Sequence, residues 1–433
     1  MPSPDDRTDE LIELEAQYAA AEGDPTYGFW AQRDSLEHVY RFARSRRVAP
    51  FAALACVLRR AVSAVPPNVV IPPIIGGCVS LNLFTTTLGR SGQGKDAADN
   101  AGFAAVEFPS PAGVPMEAPR PQIGTGEGLA RLFKGSKNQE PLTAAHLVVP
   151  EIGTLAAIAG RQGATLATEL LKGYMGQALG FQNASSDTTT AVAAHSYRLC
   201  LGVNSQPENS AFFLDRATDG FPQRFLWASA TDPYAPMDRP NPVEPIEILL
   251  PTFGSSHYEI TVPKRVWADM DAHRTRVLTE DPDTDPLDGH LMLTRLKVAF
   301  ALAILEARSE VDLDDWRVAG ELIDMSTATR SRAQAAVAAQ RKNANRSKAH
   351  DQAEREAIVI GRLTEDRQAR VGKAIVGKLR RVKRSNRSDL RRACAAELRT
   401  EFDSVLETFI DTGFLTLIEG GEGRADEYEI TEQ

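Results

Sequence analysis

Ser80-Leu81-Asn82-Leu83-Phe84-Thr85-Thr86-Thr87-Leu88-Gly89-Arg90-Ser91-Gly92-Gln93-Gly94-Lys95-Asp96 is the stretch whose reading decides the fold. A β-branched, apolar run ends at Gly89, and Gly89-x-x-x-x-Gly94-Lys95 then opens into an alanine-rich segment. Glycines let successive backbone N–H groups turn toward phosphate oxygens, a helix N-terminus adds its dipole, and a lysine adds a point charge. The spacing therefore predicts a strand, a phosphate loop built from Gly89, Ser91, Gly92, Gln93, Gly94, Lys95 and Asp96, and a helix. A plain glycine-rich strand-to-helix turn with a solvated lysine is the competing reading. Asp96 stands where a Ser or Thr would normally hold magnesium, and it becomes the candidate metal ligand.

Three further apolar runs follow. His146-Leu147-Val148-Val149-Pro150-Glu151 ends in a carboxylate, as a buried strand of a P-loop ATPase does when it brings carboxylates to the metal and the attacking water. Pro150 occupies the position of the usual Asp. Without the glycine loop upstream, Glu151 would read as the cap of a loop. Tyr197 to Val203 is a third strand, ending at Asn204-Ser205-Gln206-Pro207-Glu208. An amide at such a tip senses a γ-phosphate or aligns water, and Asn is equally a common turn residue. Gly220-Phe221-Pro222-Gln223-Arg224-Phe225-Leu226-Trp227 puts an arginine at the entrance to a fourth strand, as a salt-bridge partner or as a group reaching a neighbour's nucleotide. The glycines of Gly124-Thr125-Gly126-Glu127-Gly128 are too loosely spaced for a dinucleotide fingerprint and read as a loop and cap.

Upstream, residues 1–24 are polar and predict a loose arm with a short amphipathic helix at Leu11–Tyr18. Ser35–Arg44 and Pro50–Val62 carry apolar residues at helical spacing. Arg41, Arg44, Arg46, Arg47, Arg59 and Arg60 read as a solvated helix face or as a DNA-facing cluster. Downstream, residues 255–340 predict a helical lid, and Gln340–Glu356 a solvated helical connector. Ala369–Val382, Ser388–Leu398 and Glu401–Thr412 predict three helices, the last with Thr400 and Asp403 as a capping box. Phe414–Ile418 and Tyr428–Ile430 flank Gly420-Gly421-Glu422-Gly423, a hairpin, so this region predicts a winged helix. Its third helix, the usual groove reader, carries Glu401, Asp403, Glu407 and Asp411, which repel phosphate. DNA contact is therefore expected from Lys378, Arg380, Arg381, Lys383 and Arg384, with Arg424 in the wing. A protein-docking module is the other reading.

Composition bounds these readings. The chain has 433 residues, enough for two or three domains and a large core. Its net charge of -9 excludes a chain that is basic throughout, so any nucleic-acid surface is local. Cys56, Cys78, Cys200 and Cys394 lie far apart in apolar runs, which predicts buried thiols and neither disulfides nor a zinc site. The seven histidines show no metal-ligand spacing. The acidic, polar start lacks a signal peptide pattern, and Pro72, Pro73, Gly76 and Gly77 interrupt the most apolar stretch, Val69–Leu88. The expected location is cytoplasmic, with no membrane partner.

With the loop, Glu151, Asn204 and Arg224 in this order, the chain resembles a family of primase/helicase-like P-loop ATPases of phages, plasmids and genomic islands, a domain of unknown function. The resemblance covers roughly residues 29–329. It rests on Ser80 to Leu83 with Gly89 to Lys95, Gly126-Glu127-Gly128-Leu129, Pro150-Glu151, Asn204 to Glu208, and Gly220 to Phe225. The last two segments are similar to the sensor asparagine and arginine finger of superfamily-three viral replicative helicases of the AAA+ class. The resemblance implies ATP and Mg2+ as cofactors, and catalytic roles for Glu151, Asn204 and Arg224, the arginine acting in trans. It further implies self-association into a hexameric ring that moves on single-stranded DNA or opens an origin duplex. A separate primase or other replication proteins would be partners, since no primase module is recognisable. The expected fold class is α/β: a P-loop NTPase (AAA+/RecA-like) core at 66–254, preceded by a helical segment at 1–65. A helical lid and connector at 255–368 and a winged-helix domain at 369–433 would follow. The expected function is a DNA-associated oligomeric ATPase, a helicase or replication initiator of a mobile element. The alternatives are a nucleotide-controlled DNA-binding or phage-defence regulator with little turnover, and a scaffold whose loop pattern is accidental.

Overall fold

The computed structural model describes residues 23–110, 112–136, 139–161, 163–182, 189–421 and 425–431. The chain is mixed α/β and divides into two compact units, Met1–Gln340 and Arg341–Gln433. Among the described residues no helix is long and apolar enough to cross a membrane. The predicted helix at Leu11–Tyr18 lies outside the described residues.

The first unit begins, after a single helical turn at Tyr27–Trp30, with α1 (Asp34–Ser45) and α2 (Pro50–Ser63). Then come β1 (Val69–Ile71), β2 (Val79–Ser80), β3 (Phe84–Leu88), α3 (Lys95–Ala105) and β4 (Val106–Glu107). Next in order are α4 (Gly126–Lys134), β5 (Ala144–Val149), α5 (Ile152–Ala159), α6 (Leu166–Met175), β6 (Arg198–Ser205), β7 (Phe225–Ser229), β8 (Ile246–Glu247) and β9 (Tyr258–Glu259). The helices α7 (Lys264–Leu278) and α8 (Leu291–Leu305) follow, and α9 runs from Leu313 to Val382.

Four strands form a parallel sheet in the order β5-β6-β3-β7. Phe84 to Leu88 are all buried, which is why β3 reads as a continuous apolar and β-branched run and shows no polar alternation. Alternate side chains of the sheet enter two different cores, as the pleat requires. Cys200 and Leu226 join α1, α2, α3 and α8 on one face. Leu199, Leu201, Val203, Phe225 and Trp227 join α4, α5 and α6 on the other.

Asn82 ties the entry of β3 to three other elements. Its Nδ2 donates to the Gly173 carbonyl at 2.6 Å, its Oδ1 accepts from the Leu199 amide at 3.0 Å, and its own carbonyl accepts from Lys297 Nζ at 2.8 Å. Arg198 works beside it, with Nε on the Val65 carbonyl at 3.1 Å and a terminal nitrogen on the Val69 carbonyl at 2.9 Å. Burial lowers Arg198 to about 10 and pushes Lys297 well below its ordinary value. These basic side chains donate to buried carbonyls that would otherwise be left unpaired.

The arginine cluster predicted on α1 and α2 does not form one surface. Arg44 is buried against Asp24 at 2.7 Å and Asp232 at 2.9 Å, and Arg59 is paired with Asp99. Arg60 donates to the carbonyls of Phe103 and Val106, while Arg46 and Arg47 stay exposed. A helical-face reading from spacing cannot tell an arginine that faces water from one that closes a core carboxylate.

His146 gives this unit an acid sensitivity. It is fully buried against Phe103, with ring centroids 4.8 Å apart, and neither ring nitrogen has a partner among the described residues. Burial, with the positive charges of Arg59, Arg60 and Arg120, pushes its imidazole well below the ordinary value. The folded state therefore refuses a proton that the unfolded chain takes up near pH 6.5. Stability is full above that pH and falls as pH drops, by at most about 1.4 kcal/mol per unit for this one proton. Thermal melts from pH 7.5 to 5 should show a shallower decline for His146→Phe than for wild type; equal slopes would contradict this.

In the second unit, α9 is followed by β10 (Arg384–Asn386), α10 (Arg387–Ala393), α11 (Phe402–Asp411), β11 (Leu415–Ile418) and β12 (Glu427–Ile430). Val371, Ile375, Leu379, Leu390, Phe402, Leu406, Leu415 and Tyr428 form its core. The hairpin strands pair as the sequence predicts, and β10 adds a third strand in the order β10-β12-β11. β10 escaped the sequence reading because Arg384-Ser385-Asn386 has no apolar residue; Ser385 is buried opposite Tyr428. The predicted capping box does not form. The residue before α11 is Glu401, without a side-chain cap, and Thr400 Oγ1 donates to Glu401 at 3.1 Å.

Candidate functional site

The register of the parallel sheet brings the glycine loop, Glu151 and Asn204 to one edge and leaves Arg224 at the other. Leu88 is level with both Ser205 and Ser229, and Val149 is level with Val203. The chain leaves β3 at Gly89, β6 at Gln206 and β5 toward Glu151 on the same carboxyl side. In open α/β sheets this edge, where successive connections diverge, forms the binding crevice. Here the connection after β3 leads to β5, two positions away, and β6 returns between them.

The glycine loop is tied to both neighbouring strands where it leaves β3. The Gly89 amide donates to the Ser205 carbonyl at 3.0 Å, and the Ala230 amide donates to the Leu88 carbonyl at 2.8 Å. Gly92 and Gly94 have φ of 81° and 74°, in the left-handed region that side chains disfavour. Gly94 is the residue before α3, whose first-turn N–H groups lack intrahelical acceptors. Ser91, Gly92 and Gln93 are exposed. Gln93 Oε1 accepts from the Arg90 amide at 2.6 Å and braces the turn. Lys95 is buried, and its Nζ donates to the Gly89 and Arg90 carbonyls at 2.9 and 3.1 Å. The ammonium thus lies folded against its own loop.

Asp96, exposed at the start of α3, meets Asn204. Asn204 Nδ2 donates to Asp96 Oδ1 at 2.7 Å. Asn204 is only 1% exposed, and its Oδ1 has no partner among the described residues. A buried amide oxygen left open beside a carboxylate is a place for a water or a ligand donor. Glu151, half-buried, accepts from Gln206 Nε2 at 3.3 Å. Glu208 approaches Arg90 at 3.9 Å across the mouth of the edge. Gln206 and Glu208 fall within the segment Asn204 to Glu208, but nothing in the sequence pattern assigns either of them a role.

Arg224 is elsewhere. Phe225 is level with Phe84, the first residue of β3, so Arg224 stands at the amino edge. The five residues of β3, roughly 16 Å, separate that edge from the glycine loop. Its guanidinium donates to the Gly220 carbonyl at 2.5 Å and sits 5.9 Å from the Tyr174 ring, and burial lowers its pKa.

The residues fit a triphosphate with a divalent cation in part. Glycine conformations, open helix N–H groups and a buried lysine suit phosphate oxygens. Asp96 offers a carboxylate on the loop side and Glu151 one at the tip of β5. Pro150 offers none.

In the second unit Arg380, Arg381, Lys383 and Arg384 are exposed, and Lys378 is half-buried. Arg384 bonds Glu429 at 2.7 Å, and Arg387 bonds Asp403 at 2.7 Å. The second pair neutralises one of the acids on α11. Arg424 lies outside the described residues.

No protein-family model matches this chain, and no curated protein matches it.

Proposed function

We propose that the first unit binds ATP with Mg2+ at the carboxyl edge of its parallel sheet, as a P-loop NTPase core. The second unit, read as a winged helix, contacts DNA. The observation that supports this most is the convergence at one sheet edge of the glycine loop, Lys95, Asp96, Asn204 and Glu151, residues separated by up to 115 positions in sequence. A chance glycine turn gives no reason for a buried asparagine to meet its Asp96 or for a strand-tip carboxylate to share its edge.

In this reading Lys95 leaves the carbonyls of Gly89 and Arg90 and turns to the β- and γ-phosphates. The loop amides from Ser91 to Lys95 hold phosphate oxygens. Asp96 is the protein's ligand for the metal, Asn204 aligns the attacking water through its open Oδ1, and Glu151 polarises that water. Bound metal supplies neutralisation of phosphate charge. Arg224, on the opposite edge, acts only toward a neighbouring copy, which suits an oligomeric ring and helicase or initiator activity on a mobile element.

A second reading is favoured by one observation. Asn204 already occupies an oxygen of Asp96, and Pro150 supplies no compensating carboxylate. On that basis the chain binds nucleotide, turns it over little, and uses occupancy to control DNA binding.

ATP turnover by the full chain, with and without single-stranded DNA and beside its oligomeric mass, tests the first reading. Turnover should rise with DNA, and neutralising Lys378, Arg380, Arg381, Lys383 and Arg384 together should remove the stimulation. DNA affinity should then fall for all sequences alike, with a flatter salt dependence. Tight ATP binding without turnover selects the second reading; DNA binding that survives neutralisation removes the assigned surface.

A further inference from the structure

Cys78, His257 and Glu259 come together on the small sheet of the first unit, away from every residue assigned above. This sheet has the order β2-β1-β9. Cys78 immediately precedes β2, and Glu259 lies in β9 with His257 two residues before it. Residues two apart on a strand point to the same face. The approach to β9 is fixed by Asn68, whose Nδ2 donates to the carbonyls of Gly254 and Ser256 at 2.8 and 2.6 Å.

Two groups converge on one carboxylate oxygen. Cys78 Sγ is 3.4 Å from Glu259 Oε1, and His257 Nε2 is 3.2 Å from the same atom. All three ligand atoms lie within 4.8 Å of one another. A tetrahedral zinc ion has bonds of about 2.3 Å to sulfur and about 2.0–2.2 Å to nitrogen and oxygen, which set its ligands roughly 3.4–3.6 Å apart. The two spacings to Glu259 are close to that, and with the sulfur and the imidazole nitrogen within 4.8 Å of each other, modest side-chain movements place an ion between the three.

We propose that Cys78, His257 and Glu259 form a binding site for a thiophilic divalent cation, Zn2+ foremost. The donor set decides the class: thiolate and imidazole are poor ligands for Mg2+ and Ca2+, which take oxygen, and good ones for zinc. Cys78 is half-buried and the other two are exposed, so the fourth coordination position opens to water. The ion bridges the segment before β2 and the strand β9, closing a loop of about 180 residues that contains the whole parallel sheet. Such closure restricts the unfolded chain most when the loop is long. The ion is therefore expected to stabilise the first unit.

The sequence hides this site. Its ligands show neither a Cys-x-x-Cys nor a His-x-x-x-His spacing, and only the His257-x-Glu259 alternation hints at a shared face. Cys78, predicted as a buried thiol like the other three, is the exception; Cys56, Cys200 and Cys394 are buried.

The test uses untagged full-length protein stripped with chelator and titrated with Zn2+, followed by Co2+ as a spectroscopic probe. One equivalent of Zn2+ should bind, raising the melting temperature. Cys78→Ser and His257→Ala should each weaken binding on the order of tenfold or more. Co2+ should give a thiolate charge-transfer band in wild type that disappears in Cys78→Ser, with circular dichroism showing both variants folded. No bound equivalent in wild type, equal affinity in wild type and both variants, or Co2+ bound without a thiolate band would each overturn the proposal.

Discussion

Asp99→Ala should destabilise the first unit by about 3–5 kcal/mol, the cost of leaving one member of a buried ion pair alone. Asp99 lies one helical turn after Lys95 on α3 and accepts from the Arg59 guanidinium. Arg59 is 1% exposed and Asp99 5%. The guanidinium lies across β6, where a Cβ on Gly202 would overlap it, so this glycine is required by close approach. Arg59 has two nitrogens without partners, and after the substitution the whole cation would be uncompensated. Removing both charges with residues of similar size, as Arg59→Met with Asp99→Leu, should cost clearly less than Asp99→Ala alone. Urea unfolding of the three proteins checks this. A single variant within about 1 kcal/mol of wild type would show that the pair does not anchor α3.

Glu151→Gln is expected to lower ATP turnover on the order of 10²- to 10⁴-fold, the usual worth of a positioned general base. The substitution keeps size and a hydrogen-bonding side chain beside Gln206, so the tip of β5 should stay in place. Nucleotide affinity should therefore change only a few-fold while kcat falls. Steady-state turnover and equilibrium binding, measured on the same preparation, separate the two. Unchanged kcat would remove Glu151 from the water-polarising role, and a matched loss of affinity would mean that it acts in binding.

How far the sequence carried these conclusions depends on what kind of signal each residue left. β3, the glycine loop and α3 were legible because a buried parallel strand and a left-handed glycine each leave a local pattern. The ends of β5 and β6 were legible as apolar runs closed by Glu151 and Asn204. Their arrival at one edge was not, because register is set by long-range pairing and not by spacing. The hydrogen bond from Asn204 to Asp96 follows from that register. Asp96 had suggested a displaced metal ligand, and the structure adds that one of its oxygens already has a partner. Arg44, Arg59 and Arg60 misled as a surface cluster, since their partners Asp24, Asp232 and Asp99 and the Phe103 and Val106 carbonyls lie far along the chain or on another helix. Asn82, quoted as part of a family pattern, turns out to hold Gly173, Leu199 and Lys297 together. That is a structural role independent of catalysis.

The central claim is that the loop from Gly89 to Asp96 holds the phosphates of a nucleotide. Calorimetric titration of ATP with Mg2+ into the full chain and into Lys95→Ala tests it most directly. The account predicts saturable binding to wild type, at one site per chain, with loss of affinity of at least a hundredfold, about 2.7 kcal/mol, in a folded Lys95→Ala protein. Equal affinity in the two proteins, or no binding to wild type, would contradict it.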